Sequence, residues 1–237
     1  MSRSKVDAQP AYVLHSYPFR ETSLIVEVFS RDFGRVALLA RGARRPRSVM
    51  RGVLMAFQPL ELGWAGKGEV QTLMKAEWQG GQPLLTGKAL FCAYYLNELL
   101  MSLLAREDPH ERLFSVYAET LRRFSGNLRE SDLRNFERAL LQELGYGLTL
   151  EHDVRGQPID PDGYYVYEIE HGPVRLAGPG NSALSVMGKT LIDLAHEDFA
   201  DARSLQEAKQ MMRALIAHHT GGKELESRKI FKELHEP

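Results

Sequence analysis

The sequence holds one cysteine, Cys92. A single cysteine excludes an internal disulfide and any multi-cysteine zinc site, which suits a reducing compartment. Cys92 lies in an apolar helical pattern with Leu90, Phe91, Tyr94 and Tyr95, and reads as a small buried hydrophobe. Long apolar runs are missing too. No stretch reaches the ~20 residues of a membrane helix, and the longest candidate, Leu84 to Leu104, is broken by Lys88, Asn97 and Glu98. Residues 1–10 are polar and lack the apolar core of a secretory signal. The expected location is the cytoplasm, with no membrane contact. Catalytic signatures are also absent: no G-x-S-x-G, no Gly-Lys-Ser/Thr phosphate loop, no H-E-x-x-H and no dinucleotide fingerprint. His152-Asp153 and His218-His219 have no further ligands at metal-site spacing, and histidines at a helix end suit its dipole. No catalytic residue, cofactor or metal is assigned, and no enzyme is expected.

One more absence points the other way. From Phe33 to Leu60 there is no acidic residue, while six arginines (Arg35, Arg41, Arg44, Arg45, Arg47 and Arg51) fall in that stretch. Residues 1–80 carry net +5 and residues 81–237 net −6, under a formal total of −1. A basic front half attracts a polyanion. Val36 to Ala40 reads as a strand, and the Gly/Pro/Arg run after it as an exposed loop. Guanidinium groups match phosphate oxygens bidentately. The alternative is a solvated loop whose arginines pair with acids elsewhere.

Residues 1–80 read as β: Ala11–Tyr17, Thr22–Ser30, Arg35–Arg41, Val53–Trp64 and Glu69–Trp78. Leu24, Val26 and Val28 alternate with Glu27, so one face is buried. Arg31 to Gly34 is of hairpin length, and Pro59 implies an edge or bulge inside the fourth strand. Five strands with a long loop after the third suit a small closed barrel of OB type, with a small sandwich as the other possibility. Gly80-Gly81-Gln82-Pro83 marks a boundary. Residues 81–237 then read as a helical domain, with helices over Leu84–Arg106, His110–Ser125, Glu130–Leu144, Val186–His196, Ser204–His218 and Ser227–His235. A β-hairpin is inserted at about 149–182. Gly145 is placed to stop the third helix, and Ser204 to Glu207 matches a capping box. The class is α+β.

Aromatic residues interleave with the basic ones: Tyr12, Tyr17, Phe19, Phe29, Phe33, Phe57, Trp64 and Trp78. Single-strand binders stack bases on such rings, although most rings of a small barrel are core. Phe29 and Phe57 read as core, whereas Tyr17-Pro18-Phe19-Arg20 reads as exposed. The expected nucleic-acid set is therefore Arg20, Arg35, Arg41, Arg44, Arg45, Arg47 and Arg51 with Tyr17 and Phe19. On the third helix, Arg134 and Arg138 flank an apolar stripe that includes Leu141. An apolar groove rimmed by arginine suits a short acidic peptide; a solvated arginine face beside core leucines is the alternative.

Several stretches together resemble one family. They are Val13 to Ile25; Phe33-Gly34-Arg35 with Ala40 to Arg44; Phe136-Glu137 with Leu140-Leu141 and Leu144 to Leu148; and Gly221-Gly222-Lys223 with Leu225 and Ser227-Arg228. Their order and span match the recombination mediator RecO. The resemblance implies an N-terminal OB-fold, a C-terminal helical domain and a non-catalytic role. It implies binding of single- and double-stranded DNA, strand annealing, and action with RecR to load RecA onto SSB-coated DNA. It also implies docking on the acidic C-terminal tail of SSB and association with the nucleoid. Some family members carry four zinc-binding cysteines after the Leu-Gly-Tyr-Gly stretch. Residues 149–176 have none, so no metal is expected there.

Overall fold

The computed structural model describes residues 5–235. The chain forms two compact units: residues 1–127 with 225–237, and residues 128–224. The first unit contains β1 (Lys5–Phe19), β2 (Ser23–Ser30), β3 (Gly34–Ala40), α1 (Met50–Val53), β4 (Leu60–Ala65), β5 (Val70–Trp78), α2 (Gly87–Leu103) and α3 (Glu111–Gly126). α7 (Glu226–His235) completes it. The second unit holds α4 (Glu130–Glu143), β6 (Tyr164–Glu168), β7 (Gly172–Leu176), β8 (Ser185–Met187), α5 (Gly188–His196) and α6 (Ala202–His219).

The five N-terminal strands close into a barrel of order β1-β2-β3-β5-β4. All neighbours are antiparallel except β3 and β5, whose parallel register pairs Ala37 with Val70 and Leu39 with Thr72. This is the five-stranded Greek-key strand order of an OB-fold barrel. Alternation along β2 sends Val26 and Val28 into a core with Val13, Leu38, Leu60, Leu62, Trp64 and Leu73. Trp64 is the bulkiest side chain there and is 1 % exposed.

The opposite face of β1 and β2 is buried as well. Tyr12 and Phe29 meet Phe114 of α3 at ring-centroid distances of 5.6 and 5.5 Å. A bulge in β1 between Val13 and His15 frees backbone carbonyls from the ladder. Asn97 of α2 donates from Nδ2 to the Leu14 carbonyl at 2.8 Å, and its Oδ1 accepts from the Tyr117 hydroxyl at 2.5 Å. Two helices thus share a core with the barrel. For that reason the first compact unit runs past the Gly80-Gly81 punctuation to Asn127.

Two local expectations are corrected. Val53 to Trp64 is not one strand: α1 ends at Val53, Phe57 takes φ +65°, and β4 starts only at Leu60. Pro59, with no N–H to donate, stands before β4 rather than inside it. Ser204 does not cap α6. Asp201 does, its carboxylate accepting from the Arg203 N–H at 2.8 Å, while Ser204 is buried one turn in.

In the second unit the expected hairpin forms between β6 and β7 and gains a third strand, in the order β7-β6-β8. Tyr165, Tyr167 and Val186 pack against α5 and α6 through Leu191, Leu194 and Met212. α4 ends as its glycine predicts. Gly145 takes φ +83°, its N–H bonds the Gln142 carbonyl, and the Tyr146 N–H bonds the Leu141 carbonyl at 2.8 Å. That pair of bonds is the glycine-terminated Schellman closure.

Candidate nucleic-acid interface

Strands β1, β3 and β5 run the same way round the barrel, so their C-terminal ends share one rim. β1 ends there at Phe19, β3 at Ala40 and β5 at Trp78. The β2 register supports the same placement, with Phe19 opposite Ser23 and Leu24 opposite Ala40. The turn after β1 and the loop after β3 therefore emerge side by side.

Hydrogen bonds join them. The Arg44 N–H donates to the Thr22 carbonyl at 2.8 Å, the Gly42 N–H to Ser23 Oγ at 3.4 Å, and Arg44 Nη1 to the Arg20 carbonyl at 3.2 Å. Ala43 is fully buried and enters the barrel core, so the loop is pinned at its centre. Short turns continue it: Arg45 N–H to the Gly42 carbonyl, Ser48 N–H to the Arg45 carbonyl, and Arg51 N–H to the Ser48 carbonyl. The backbone is ordered by its own bonds, and the guanidinium groups project outward.

Arg20, Arg41, Arg44, Arg45, Arg47 and Arg51 are all exposed. Among the described residues none of the six pairs with a carboxylate. The solvated-loop alternative required such pairs. Tyr17 is 44 % exposed and rests on the His15 ring at 4.4 Å between centroids. The Arg20 guanidinium carbon lies 5.2 Å from the centroid of the half-buried Phe19 ring. Stacked in this way, Arg20 keeps its N–H edges available for phosphate. Phe29, Phe57 and Trp64 are buried, as core residues are.

Arg35 is corrected. It sits at the start of β3, opposite Phe29, and so on the other rim. Its Nη1 donates to the Met101 carbonyl, and its Nε lies 3.7 Å from Glu27. Arg106 Nη2 also pairs with Glu27, a carboxylate only 2 % exposed. Arg35 therefore compensates a buried acid and is not part of the free cationic set. The sequence offered a signal for this pairing: Glu27 alternates with the core residues of β2 on the same face as Phe29.

The acidic-peptide groove on α4 is corrected too. Arg134 is 4 % exposed and pairs with the fully buried Glu137 at 2.7 Å; Leu141 is fully buried core. Arg138 retains partial exposure but is paired with Glu197. These three side chains form no open groove. Among the described residues no group of three or more His, Cys, Asp or Glu side chains is placed to hold a metal ion. No helix among them is long and apolar enough to cross a membrane.

Comparison with known proteins covers nearly the whole sequence. Residues 2–81 match the family model described as Recombination protein O N terminal, and residues 84–229 match Recombination protein O C terminal. The DNA repair protein RecO of Dechloromonas aromatica (strain RCB) is 69% identical over 238 residues, covering 99% of this chain and 98% of that protein. The DNA repair protein RecO of Aromatoleum aromaticum is 56% identical over 237 residues, with 99% and 98% coverage. That of Azoarcus sp. (strain BH72) is 55% identical over 237 residues, with 98% of each chain covered. With both halves matched in order on the observed barrel and helices, the chain belongs to the RecO family of DNA repair and recombination proteins.

Proposed function

We propose that the protein is a non-catalytic DNA-binding mediator of recombinational repair that holds DNA at the arginine rim of its barrel. One observation carries the reading: among the described residues, six guanidinium groups without a carboxylate partner stand on the turn after β1, the loop after β3 and α1, and the turn and loop are fastened together by hydrogen bonds. Such a surface recognises sugar-phosphate regardless of sequence, because phosphate contacts position a strand without reading its bases. It suits single- and double-stranded DNA, and it suits annealing, in which two complementary strands must be held against their own repulsion. Within this reading the protein acts with RecR to load RecA onto SSB-coated strands. Docking of the SSB tail belongs to the same reading but not at Arg134, Arg138 and Leu141, whose burial and pairing close that surface.

The test is the affinity for a fluorescently labelled oligonucleotide, read by anisotropy at low salt. Replacing Arg41, Arg44, Arg45 and Arg47 together by Ala is expected to weaken binding of both single strands and duplex. Undiminished binding by that variant removes the rim from the DNA site.

A further inference from the structure

The arginine rim carries another exposed aromatic. Trp78 ends β5 and is 57 % exposed. An exposed indole normally samples several rotamers, but this one is braced. Its Nε1–H donates to Gln58 Oε1 at 3.0 Å, and Gln58 is 5 % exposed. The brace is itself built by an unusual backbone. Phe57 adopts φ +65°, and its carbonyl accepts from Gln82 Nε2 at 2.9 Å. The Gln79 N–H closes the same corner on the Pro59 carbonyl at 2.9 Å. A left-handed conformation at a bulky residue is strained, and such strain collects where a neighbour must be positioned.

Packing does not explain Gln58. A buried amide is unfavourable unless its polar atoms are bonded, and Gln58 Nε2 has no partner among the described residues. An apolar residue of the same size would fill the space without that penalty. What the amide does supply is one acceptor, and that acceptor fixes the orientation of an otherwise solvent-exposed ring.

Location suggests what the ring meets. Continuing the β3–β5 register from the Leu39–Thr72 pair places Arg41 level with Met74. Trp78 is then four residues further along, roughly 13 Å at a strand rise of ~3.3 Å per residue. That distance lies within the ~4–16 nucleotides that one OB barrel tracks. The neighbouring Glu77 carboxylate is held by Lys75 at 3.0 Å, so it is partly neutralised.

We propose that Trp78, held by Gln58, is a stacking platform for an unpaired nucleobase of a strand whose phosphates lie on the arginine loop. The inference rests on the DNA-binding reading above and adds a preference: the ring engages bases of single strands, because a duplex keeps its own bases stacked. Gln58 is a positioning residue acting through Trp78.

Intrinsic fluorescence provides the test, since the chain has two tryptophans and Trp64 is buried in the barrel core. Titrating the full chain with an oligothymidylate is expected to quench emission, and Trp78→Phe is expected to abolish the quench. Trp78→Ala is expected to lower single-strand affinity by about five- to 160-fold, the range for one stacked base, and to leave blunt-duplex affinity unchanged. Trp78→Phe should recover most of that affinity. Gln58→Leu, which retains the ring but frees it, should lose an intermediate amount. An unquenched indole, or equal weakening of single strand and duplex by Trp78→Ala, overturns the inference. If the arginine variants still weaken binding in that case, the DNA-binding reading survives without it. If wild-type protein binds neither DNA form, both fail.

Discussion

Asn97→Ala tests how the barrel is tied to its helices. Asn97 is 3 % exposed and serves three groups: the Leu14 carbonyl at 2.8 Å, the Val13 carbonyl at 3.4 Å and the Tyr117 hydroxyl at 2.5 Å. The Val13 contact is long, so two strong bonds are at stake. Alanine takes a hydrogen-bond partner from both buried groups, and each such loss costs about 1–3 kcal/mol. The expected loss is therefore about 2–6 kcal/mol, a large part of the ~5–15 kcal/mol that stabilises a typical domain. Urea unfolding followed by circular dichroism measures it. Tyr117→Phe in the Asn97→Ala background removes one of the two groups that lost this bond, so the double variant should lose less than the sum of the singles. An Asn97→Ala midpoint within about 0.5 kcal/mol of wild type, the range of an ordinary surface substitution, would refute the reasoning. So would strict additivity of the two changes.

Two further predictions concern buried charge and pH. Arg134→Met removes the ion-pair partner of the Glu137 carboxylate, which is fully buried, and should cost about 3–5 kcal/mol in the same unfolding assay. Arg134→Met with Glu137→Leu should recover most of that loss; failure to recover means the pair is not the cause. Burial raises the Tyr117 hydroxyl well above the ordinary tyrosine value. The folded state then keeps its proton after the unfolded chain has lost it, so stability is full below the unfolded value near ~10 and falls as pH rises above it. A stability profile across alkaline pH should show that fall in wild type and a shallower one in Tyr117→Phe. Parallel profiles contradict it.

Local physics made much of the barrel legible. The alternation of Leu24, Val26 and Val28 against Glu27 picked out the barrel-core face of β2, though not that α3 buries the opposite face too, and Gly34 with φ +65° turned the hairpin into β3. Gly145 ended α4 because only a left-handed residue completes the Schellman closure without strain. The misses are long-range. Nothing near Pro59 in sequence announces that β3 and β5 pair in parallel, and that pairing decides where the connecting segment must turn. Arg35 resembles its neighbours until Glu27 and Met101 come within reach from other elements. Arg134 and Arg138 share a spacing, yet Glu137 draws the first inward while Glu197 holds the second at the surface. The acid-free stretch did foretell that Arg41, Arg44, Arg45 and Arg47 find no carboxylate partner among the described residues.

The salt dependence of DNA binding bears most directly on the claim that unpaired arginines on one rim hold the sugar-phosphate chain. Affinity for a single strand is measured across a salt series for wild type and for the variant with Arg41, Arg44, Arg45 and Arg47 replaced by Ala. Each lost phosphate contact lowers the log–log slope by ~0.7, so the variant's slope should be shallower by about 3. Two parallel lines would contradict the account.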